Sequence, residues 1–349
     1  ICNMDANSKY IIDESLNIGE ALVSLNQLSN DILTLFVVDG QRRMVGSLTD
    51  GDIRRCLING VKLDAPVSMA MNRNFHYLQY GNISIDEIKA LKSKKIVLLP
   101  YLDCDRRIIK IYNLQKQKSI LPIDAVLMAG GKGLRLRPLT ETVPKPLLKV
   151  GNKPIIDYNI DRLIEYGIDH ISITVNYLKE QIESYIAESR VDSNICCVRE
   201  PQYLGTIGAI RFVECFHHDT VLVMNSDLFT NINYEDFFSH FSEHQADMSV
   251  AAVPYSVSVP YGIFDLEGRD IKGIKEKPTF NYYANAGIYL IKKDLLKLIP
   301  SNTFFDATDF LNLLISKGYK VIRYPITGYW LDIGKFEDFD KAQELVNHL

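Results

Sequence analysis

Apolar residues in the first 120 positions recur at spacings typical of short helices and strands. The pattern predicts a helix, two strands and a second helix, over residues 18–25, 33–38, 44–48 and 53–58. Asp39-Gly40 predicts a hairpin turn between the two strands. Thr49-Asp50-Gly51-Asp52 predicts the start of the second helix, because a helix N-terminus favours acidic side chains. This segment is therefore expected to be a small α/β unit.

A weaker copy of the same pattern follows, with a helix and two strands over residues 84–91, 96–99 and 108–111. A repeated order of helix, strand, turn and strand predicts two similar halves that pack together. The polar stretch 115–119 predicts a linker, so the two domains are expected to cover residues 1–120 and 121–349.

Beyond the linker, strand patterns alternate with helical patterns, as in a doubly wound α/β domain. The predicted strands cover residues 125–129, 171–175, 195–198, 221–224 and 248–253. One predicted helix covers residues 155–166 and ends at Gly167. Another begins near Asn233, whose spacing to Asp236 resembles a capping box.

Composition narrows the class of protein. The chain has 349 residues, 47% of them hydrophobic, and a net charge of −4, which favours two soluble domains and neither a nucleic-acid nor a membrane partner. No apolar run approaches the roughly 20 residues of a membrane helix, and residues 1–10 do not resemble a signal peptide. None of the six cysteines forms a CxxC pair, so free thiols and a cytoplasmic location are expected.

A glycine-rich loop follows the first predicted strand of the second domain. Ala129-Gly130-Gly131-Lys132-Gly133 is followed closely by two further cations, Arg135 and Arg137. Glycines let backbone N–H groups close on phosphate oxygens, and cations neutralise phosphate charge. An ordinary turn with exposed basic residues is the alternative interpretation.

Two familiar nucleotide-binding motifs fail on spacing. A Walker A loop needs Ser or Thr after Lys132, where Gly133 stands. A dinucleotide fingerprint that begins at Gly131 needs a small residue at position 136, which is Leu136. Neither an ordinary P-loop enzyme nor an ordinary dehydrogenase fits.

Prolines flank the next lysine. Pro144-Lys145-Pro146 presents Lys145 on a restrained backbone, because proline fixes φ. The combination of Gly-Gly-x-Gly-x-Arg-Leu, Pro-Leu-Thr and Pro-Lys-Pro over residues 130–146 resembles the nucleotidyltransferases that make nucleotide sugars. The resemblance extends over residues 124–349 and implies a Rossmann-like, GT-A-like α/β domain.

The resemblance also implies a set of site residues. The nucleotide would be bound by Ala129, Gly130, Gly131, Gly133, Glu200, Gly205 and Thr206, and the sugar phosphate by Gly262, Glu276, Lys277 and Asn285. The implied catalytic residues are Arg135, Lys145, Asp227 and Asp332, of which the two aspartates would bind Mg²⁺. For either aspartate alone, a turn or cap role is the alternative.

The implied reaction is attack by a sugar 1-phosphate on the α-phosphorus of a nucleoside triphosphate, with pyrophosphate leaving and no covalent enzyme intermediate. Such chemistry depends on positioning and charge neutralisation. Arg135 would hold the leaving phosphates, Lys145 would bridge the α-phosphate and the attacking phosphate, and Lys277 would hold the sugar phosphate. A homo-oligomer is expected.

Glu200 carries the hint about the base. The matching position in relatives that use UTP or dTTP often resembles Gln, which can both donate and accept, whereas an ionised carboxylate only accepts. Guanine offers N1–H and N2–H₂ on one edge, so GTP is the expected substrate. The alternative is that Glu200 ends a strand in solvent.

Residues 46–55 resemble a CBS repeat, and such repeats usually pair and often bind adenine nucleotides. By that resemblance Thr49 and Asp52 would hold ribose, with Arg54 or Arg55 near phosphate. Helix capping by Asp52 is the alternative. The second copy has no matching Thr-x-x-Asp after residue 111, so at most one nucleotide site is expected, and a purely structural or dimerising pair remains an alternative.

The order of a CBS pair and a transferase domain resembles bacterial enzymes that make GDP-sugars, among them those that form GDP-glucosamine for legionaminic acid synthesis. Mannose-1-phosphate guanylyltransferases are the close alternative, and UTP- or dTTP-dependent hexose-1-phosphate transferases a further one. Two alternatives of another class are a non-catalytic regulatory subunit and an adenylate sensor. A non-catalytic relative should have lost some of the four catalytic residues, and all four are present.

Overall fold

The structure is a computed structural model that describes residues 8–29, 31–191 and 194–346. It divides into two compact units, Ile1–Pro122 with Glu165–Gly167, and Ile123–Ile164 with Ile168–Leu349. The first is called the N-terminal unit and the second the C-terminal unit. The domain boundary expected from the sequence, between residues 120 and 121, lies close to this division.

The N-terminal unit contains two three-stranded sheets and three helices among its described residues. Its strands are β1 (Ile11–Asp13), β2 (Thr34–Val38), β3 (Met44–Thr49), β4 (Leu78–Gln79), β5 (Leu98–Leu102) and β6 (Ile108–Asn113). Its helices are α1 (Ile18–Gln27), α2 (Asp50–Ile58) and α3 (Ile85–Ser93).

The two sheets share one topology. In the first, β1 pairs parallel with β2 and β2 pairs antiparallel with β3. In the second, β4 pairs parallel with β5 and β5 pairs antiparallel with β6. Leu98, Leu102 and Ile111 of the second half pack in one apolar cluster with the first half. The repeat predicted from the sequence is confirmed.

The hairpin predicted at Asp39-Gly40 is confirmed, since β2 and β3 pair antiparallel, and the loop that connects them covers residues 39–43. The Oδ1 atom of Asp39 accepts the N–H groups of Gln41 and Arg43, each at 2.9 Å. Arg42, rather than Gly40, takes the positive φ of 65°. The loop is longer than a two-residue turn because the Asp39 side chain supplies acceptors for the backbone.

Asp103 builds the same loop in the second half. Its Oδ1 atom accepts the N–H groups of Asp105 at 2.9 Å and Arg107 at 2.7 Å. Arg106 has a φ of 64°, and its carbonyl oxygen accepts the N–H of Met44 at 2.9 Å. The repeat thus extends to the turn chemistry, although the residues between the aspartates and arginines differ.

The C-terminal unit is an α/β domain. Its described strands are β7 (Ile123–Ala129), β8 (Lys149–Val150), β9 (Lys153–Pro154), β10 (Ile171–Val175), β11 (Ile195–Arg199), β12 (Thr220–Asn225), β13 (Leu228–Thr230), β14 (Met248–Ser258), β15 (Ile263–Glu267), β16 (Asp270–Lys275), β17 (Thr279–Lys292), β18 (Val321–Pro325) and β19 (Trp330–Asp332). The helices are α4 (Leu139–Thr142), α5 (Ile155–Glu165), α6 (Lys179–Ser189), α7 (Tyr234–Glu243), α8 (Ala307–Ser316) and α9 (Phe336–Val346).

Seven strands form the central sheet in the order β11-β10-β7-β12-β17-β14-β18. The first four of these are mutually parallel, and β17 is antiparallel to both of its neighbours. The chain order reverses at β7, with β10 on one side and β12 on the other. Ligands of open α/β sheets bind at the carboxyl ends of strands beside such a reversal.

The sequence pattern predicted five of the seven strands of the central sheet and missed β17 and β18. Strand β17 is 14 residues long, buried over its second half and mostly exposed over its first. Polar and apolar residues alternate poorly there, so no strand was predicted. The hairpin of β15 and β16 was likewise missed, because its residues are mostly exposed and no buried face imposes a pattern.

Three smaller points complete the fold. The Oδ1 atom of Asn233 caps α7 by accepting the N–H groups of Glu235 and Asp236, close to the arrangement predicted. The described cysteines are unpaired, and Cys2 and residues 1–7 lie outside the described part. Across the described residues, no helix combines the length and apolar character needed to cross a membrane.

Candidate active site

A cavity of about 450 Å³ opens at the carboxyl ends of β7, β10 and β12. Its lining includes ten of the residues expected in the site: Ala129, Gly130, Gly131, Gly133, Arg135, Lys145, Glu200, Gly205, Thr206 and Asp227. The residues come from four separate segments of the chain, which the parallel strands bring to one edge of the sheet.

The glycine loop is held by the Pro-Leu-Thr stretch that follows it. The Oγ1 atom of Thr140, which is fully buried, donates to the carbonyl oxygen of Gly133 at 2.8 Å. Gly133 has a φ of 60°. A side chain there would approach Thr140 at 3.0 Å, so glycine is required both by conformation and by space.

Lys145 is buried and makes an ion pair across the cavity. It lies in a short 3₁₀ turn, Lys145–Leu147, that Pro144 precedes and Pro146 occupies. Its Nζ atom donates to the carboxylate of Asp227 and lies 3.8 Å from Oδ1 of Asp332. The proline-flanked lysine of the sequence is therefore aimed at both predicted metal ligands.

The two aspartates converge because β13 pairs antiparallel with β19. Leu228 lies opposite Asp332, and the N–H of Ile333 donates to the carbonyl oxygen of Asp227 at 3.2 Å. Burial, and then the nearby charge of Asp227, raise the pKa of Asp332, whereas Lys145 and Arg135 lower it. Two carboxylates that repel each other in a partly buried site favour a cation between them.

The donor set fits a magnesium ion. The Oδ1 atom of Asp227 is buried and has no hydrogen-bond partner within the described chain. Carboxylate oxygens are the ligands that Mg²⁺ prefers, with substrate phosphates and water completing its octahedron. The described residues contain no group of three or more His, Cys, Asp or Glu side chains arranged for a metal, so such an ion would depend on substrate ligands.

Arg135 approaches the second aspartate from the glycine loop. Gly334, two positions after Asp332, lies so close to Arg135 that an added Cβ would be 3.0 Å from Nη2 of the guanidinium. The absence of a side chain at Gly334 therefore leaves room for the arginine.

Glu200 is buried at the end of β11, with 4% of its surface exposed. Its Oε2 atom accepts the N–H of Leu204 at 3.2 Å. Burial raises the pKa of Glu200, and the hydrogen bond from Leu204 lowers it less strongly. The alternative interpretation, in which Glu200 ends a strand in solvent, is wrong, because the side chain lies in the cavity wall.

Gly130 permits that placement of Glu200. A Cβ atom on Gly130 would lie 2.3 Å from Oε1 of Glu200, far inside contact distance. The second residue of the glycine loop is thus adjacent to the proposed base-recognition side chain. Gly130 therefore belongs to the glycine loop and also borders the side chain of Glu200.

Asp306 holds the loop that follows Glu200. Its Oδ1 atom accepts the N–H of Thr206 at 2.9 Å and the Thr206 hydroxyl at 3.1 Å. Gly205 has a φ of 80° and packs against the backbone of Phe305. Asp306 therefore positions this loop and also caps the start of α8.

The four residues expected to bind the sugar phosphate are absent from the lining of the described cavity. Glu276 and Lys277 are exposed at the end of the β15–β16 hairpin, and Glu276 lies beside Gly262. Asn285 lies in β17, where its Nδ2 atom donates to the Tyr289 hydroxyl at 2.8 Å. The structure therefore groups the nucleotide residues with Arg135, Lys145 and Asp227 in one cavity, and the described lining of that cavity does not include the four sugar-phosphate residues.

The sequence of the C-terminal unit matches that of known proteins. The sequence profile described as "Nucleotidyl transferase" matches residues 124–348. The chain belongs to the nucleotidyl transferase family.

Relatives of this family carry several different names. A Sulfolobus acidocaldarius protein named as a candidate mannose-1-phosphate guanyltransferase is 30% identical over 221 residues, which are 62% of this chain and 61% of that protein. The glucose-1-phosphate adenylyltransferase of Bacillus thuringiensis is 30% identical over 259 residues, 65% of this chain and 68% of that protein. The chain thus spans about three fifths of the length of the first of these relatives.

Solved structures show the same fold. A Bacillus anthracis protein crystallised with sucrose, named as a candidate glucose-1-phosphate thymidylyltransferase, aligns with a TM-score of 0.52 and 24% identity. The alignment covers 65% of this chain and 96% of that structure. This likeness confirms the predicted Rossmann-like α/β fold of the C-terminal unit.

Sequence reasoning gave no role to several residues that line the nucleotidyl transferase cavity. Thr174 is a polar residue near the carboxyl end of the buried strand β10, and Asn225 and Ser226 lie just before Asp227. A polar side chain near the carboxyl end of a buried strand is a usable signal for such residues. Tyr203, also in the lining, packs against Phe304 with ring centroids 5.8 Å apart.

The N-terminal unit has a cavity of its own, of about 430 Å³, whose lining includes Thr49 and Asp52. These two residues form a capping box at the start of α2. The Oδ1 atom of Asp52 also accepts a hydrogen bond from Arg55 at 2.5 Å, and Arg54 pairs with Asp50. Thr49 and Asp52 therefore cap α2, as in the alternative interpretation, and they also line the cavity.

Proposed function

We propose that the chain is a sugar-1-phosphate nucleotidyltransferase, which joins a nucleoside monophosphate to a sugar 1-phosphate and releases pyrophosphate. The observation that carries this proposal is the position of Lys145, paired with Asp227 and 3.8 Å from Asp332, beside a glycine loop at the carboxyl edge of the sheet. A lysine and two carboxylates around one small volume suit phosphoryl transfer between polyanions.

The reaction is an in-line displacement at phosphorus. A phosphate oxygen of the sugar 1-phosphate forms a bond to the α-phosphorus of the triphosphate. The bond from the α-phosphorus to the oxygen bridging to the β-phosphate breaks, and pyrophosphate departs with that electron pair. The attacking phosphate is already anionic near neutral pH, so the main barrier is the approach of two polyanions.

Three cations of the chain lower that barrier. Arg135, exposed at the cavity, binds the leaving β- and γ-phosphates. Lys145 bridges the α-phosphate and the attacking phosphate, exchanging its contact with Asp227 for substrate oxygens. Lys277, at the end of the hairpin, binds the sugar phosphate, while Glu276 accepts hydrogen bonds from sugar hydroxyls and the Gly262 N–H donates one.

Asp227 and Asp332 would hold the magnesium ion. When bound, Mg²⁺ supplies positive charge to the reacting phosphates. The buried, unpartnered Oδ1 atom of Asp227 supports this assignment. Lys145 pairs with the same carboxylate, and its single charge offsets that of Asp227.

GTP is the proposed nucleotide. Glu200 is buried beside the glycine loop, and its ionised carboxylate would accept N1–H and N2–H₂ of guanine. Relatives named as mannose-1-phosphate guanylyltransferases support a guanylyltransferase. Relatives named as adenylyltransferases have similar identity to this chain, so the relatives alone do not distinguish guanine from adenine. We therefore rest the choice of GTP on Glu200.

Glucosamine 1-phosphate is the proposed sugar substrate, with mannose 1-phosphate as the alternative that the named relatives favour. The product would be a GDP-sugar for a bacterial surface glycan. This choice rests on the order of a CBS-like unit before the transferase domain.

A single assay tests the reaction, the base and the sugar. Pyrophosphate release is measured with Mg²⁺ while five triphosphates (GTP, UTP, dTTP, CTP and ATP) are crossed with a panel of sugar 1-phosphates. GTP with glucosamine 1-phosphate is the expected pair. UTP or dTTP would overturn the role of Glu200, and no release from folded protein would favour the non-catalytic alternative.

The N-terminal unit is proposed as a CBS pair that binds one adenine nucleotide. Its cavity has room for a nucleotide, and Thr49 and Asp52 lie in the lining with His76 and Phe75. Isothermal titration of the full chain with AMP and ATP tests this. Thr49→Val should weaken binding without altering turnover in the absence of adenylate, and equal heats from both proteins would count against the site.

A further inference from the structure

One buried side chain of the C-terminal unit holds the backbone on both sides of Asp227. The Nδ2 atom of Asn159 donates to the carbonyl oxygen of Ser226 at 3.1 Å and to that of Leu228 at 2.9 Å. An amide NH₂ has two hydrogens, so each carbonyl receives one. The two accepting residues are the immediate neighbours of Asp227 in the chain.

Asn159 is one of two buried polar residues on its helix, the other being Asp157. Asn159 lies on the apolar face of α5 with Ile155, Ile156, Ile160 and Leu163, and only 1% of its surface is exposed. A polar amide in such a position is costly unless it is hydrogen-bonded, and an apolar residue would suit the packing alone. We therefore attribute the presence of Asn159 at this position to the two hydrogen bonds that its side chain donates.

The peptide planes around Asp227 are consequently fixed from two directions. Asn159 holds the carbonyls of residues 226 and 228, and the N–H of Ile333 holds the carbonyl of Asp227 itself at 3.2 Å. On the other side, the Ser226 hydroxyl donates to the carbonyl of Met128, at the end of the strand that leads into the glycine loop, at 2.8 Å. Each of the three carbonyl groups from residue 226 to residue 228 therefore accepts a hydrogen bond that restrains its peptide plane.

We propose that Asn159 is a positioning residue for Asp227, setting the direction of its carboxylate toward Lys145 and the divalent cation. This inference rests on the proposed function, because it assigns Asn159 a role in the reaction of that site. Removing the amide lets the 226–228 segment turn, and the carboxylate then meets the cation and the lysine in a poorer geometry. Mutation of a residue that hydrogen-bonds to a metal ligand without touching the metal typically lowers metal affinity or activity by about ten- to a hundredfold.

The test compares Asn159→Leu, which keeps the volume and removes both donors, with Asn159→Ser, which keeps one donor on a shorter side chain. We expect Asn159→Leu to lower kcat by about ten- to a hundredfold. The KM for the triphosphate should change much less, and the Mg²⁺ concentration for half-maximal rate should rise. Asn159→Ser should fall between the wild type and Asn159→Leu, and it remains informative if the leucine variant does not fold.

Arg162→Met is the matched control. Arg162 lies on the same helix and donates to the carbonyl of Ile232 at 2.5 Å, away from the 226–228 segment. Its loss should lower the melting temperature as Asn159→Leu does, but leave the Mg²⁺ dependence unchanged. All assays are run well below the melting temperature of the least stable variant.

A binding measurement separates positioning from turnover. Mn²⁺ titrations of the wild type and variants, in the presence of the triphosphate alone, are followed by electron paramagnetic resonance. Weaker Mn²⁺ binding in Asn159→Leu than in Arg162→Met is expected. If the wild type turns over but Asn159→Leu keeps its kcat and metal affinity, the inference alone is overturned. If the wild type turns over no substrate pair, the proposed function and this inference fail together.

Discussion

Lys145 and Asp227 form an ion pair across 82 positions of sequence, at the point where the proline-flanked turn meets the end of β12. The pair neutralises a buried lysine and a carboxylate whose second oxygen has no partner in the described chain. Charges in such a site are compensated until substrate and cation replace the direct contact.

Lys145→Ala should therefore lower kcat by about a hundredfold or more, because an ammonium aimed at the reacting phosphates is lost. Steady-state pyrophosphate release checks this. Lys149→Ala is the control, since Lys149 is exposed and lies outside the cavity lining. Near-normal turnover of Lys145→Ala would remove this residue from the proposed mechanism.

Glu200→Gln should reduce the preference for GTP over UTP by roughly tenfold or more. An amide replaces one of the two carboxylate oxygens by an NH₂ donor, which faces a guanine donor unfavourably and suits uracil better. The ratio of the two kcat/KM values is the measurement. An unchanged ratio would contradict base recognition by this side chain.

The same residue gives a pH dependence with a defined sign. Burial raises the pKa of Glu200, so its carboxylate becomes protonated at a higher pH than an exposed glutamate. A protonated carboxyl presents a donor toward the guanine donors. The kcat/KM for GTP should thus fall as the pH falls toward that raised pKa, and the Glu200→Gln variant should lack this part of the profile.

Gly130→Ala should raise the KM for the triphosphate, since the new Cβ atom would stand 2.3 Å from Oε1 of Glu200. The affected group is Glu200 itself, so the double variant Gly130→Ala, Glu200→Gln should lose less than the sum of the single losses. Strict additivity of the two free-energy changes would show that the contact is irrelevant to binding. Gly131→Ala, which meets no atom within 4 Å, is the matched control for the added methyl group.

The opposite edge of the sheet holds three histidines, and protonation of one of them, His170, should destabilise the fold. The rings of His170 and His217 stack with centroids 3.9 Å apart, and His218 pairs with Asp124 at 3.1 Å. Burial, and then the charges of His217 and His218, lower the pKa of His170, against the attraction of Asp124 and Asp169. Neutral His170 is thus favoured in the folded chain.

A histidine with a lowered folded-state pKa contributes stability above its unfolded pKa, and that stability is lost as the pH falls through about 6.5. The melting temperature should therefore drop between pH 7.5 and pH 5.5. His170→Phe keeps an aromatic ring in the stack and removes the titrating group, so its melting temperature should depend less on pH. Parallel slopes for the two proteins would refute this account.

Local sequence chemistry anticipated the inner part of the fold and the parts of the site that lie on it. Strand β10 begins and ends at the predicted residues, because Ile171, Ile173 and Val175 alternate with Ser172 and Thr174, and such alternation is typical of a strand. The helix starts that Thr49 and Asn233 cap were also predicted, since a cap is made by residues within a few positions of one another.

Elsewhere the local pattern was insufficient. Arg42 takes the left-handed conformation beside Gly40, because the Asp39 carboxylate shapes that loop. Strand β17, which lies between β12 and β14, and the β15–β16 hairpin were missed, since the exposed parts of these strands carry no burial pattern. The sugar-phosphate residues on that hairpin were identified by family resemblance, and their separation from the described cavity could not be inferred.

By itself, the sequence determined where the glycine loop begins, how Lys145 is restrained and which strands are fully buried, because these depend on residues within a few positions of one another. Only the tertiary structure decided that Glu200 is buried against Gly130, that Asp227 meets Asp332 across β13 and β19, and that Asn159 holds the peptide groups beside Asp227. Those relationships join segments far apart in the chain. They arise from strand order and helix packing, which no local spacing records.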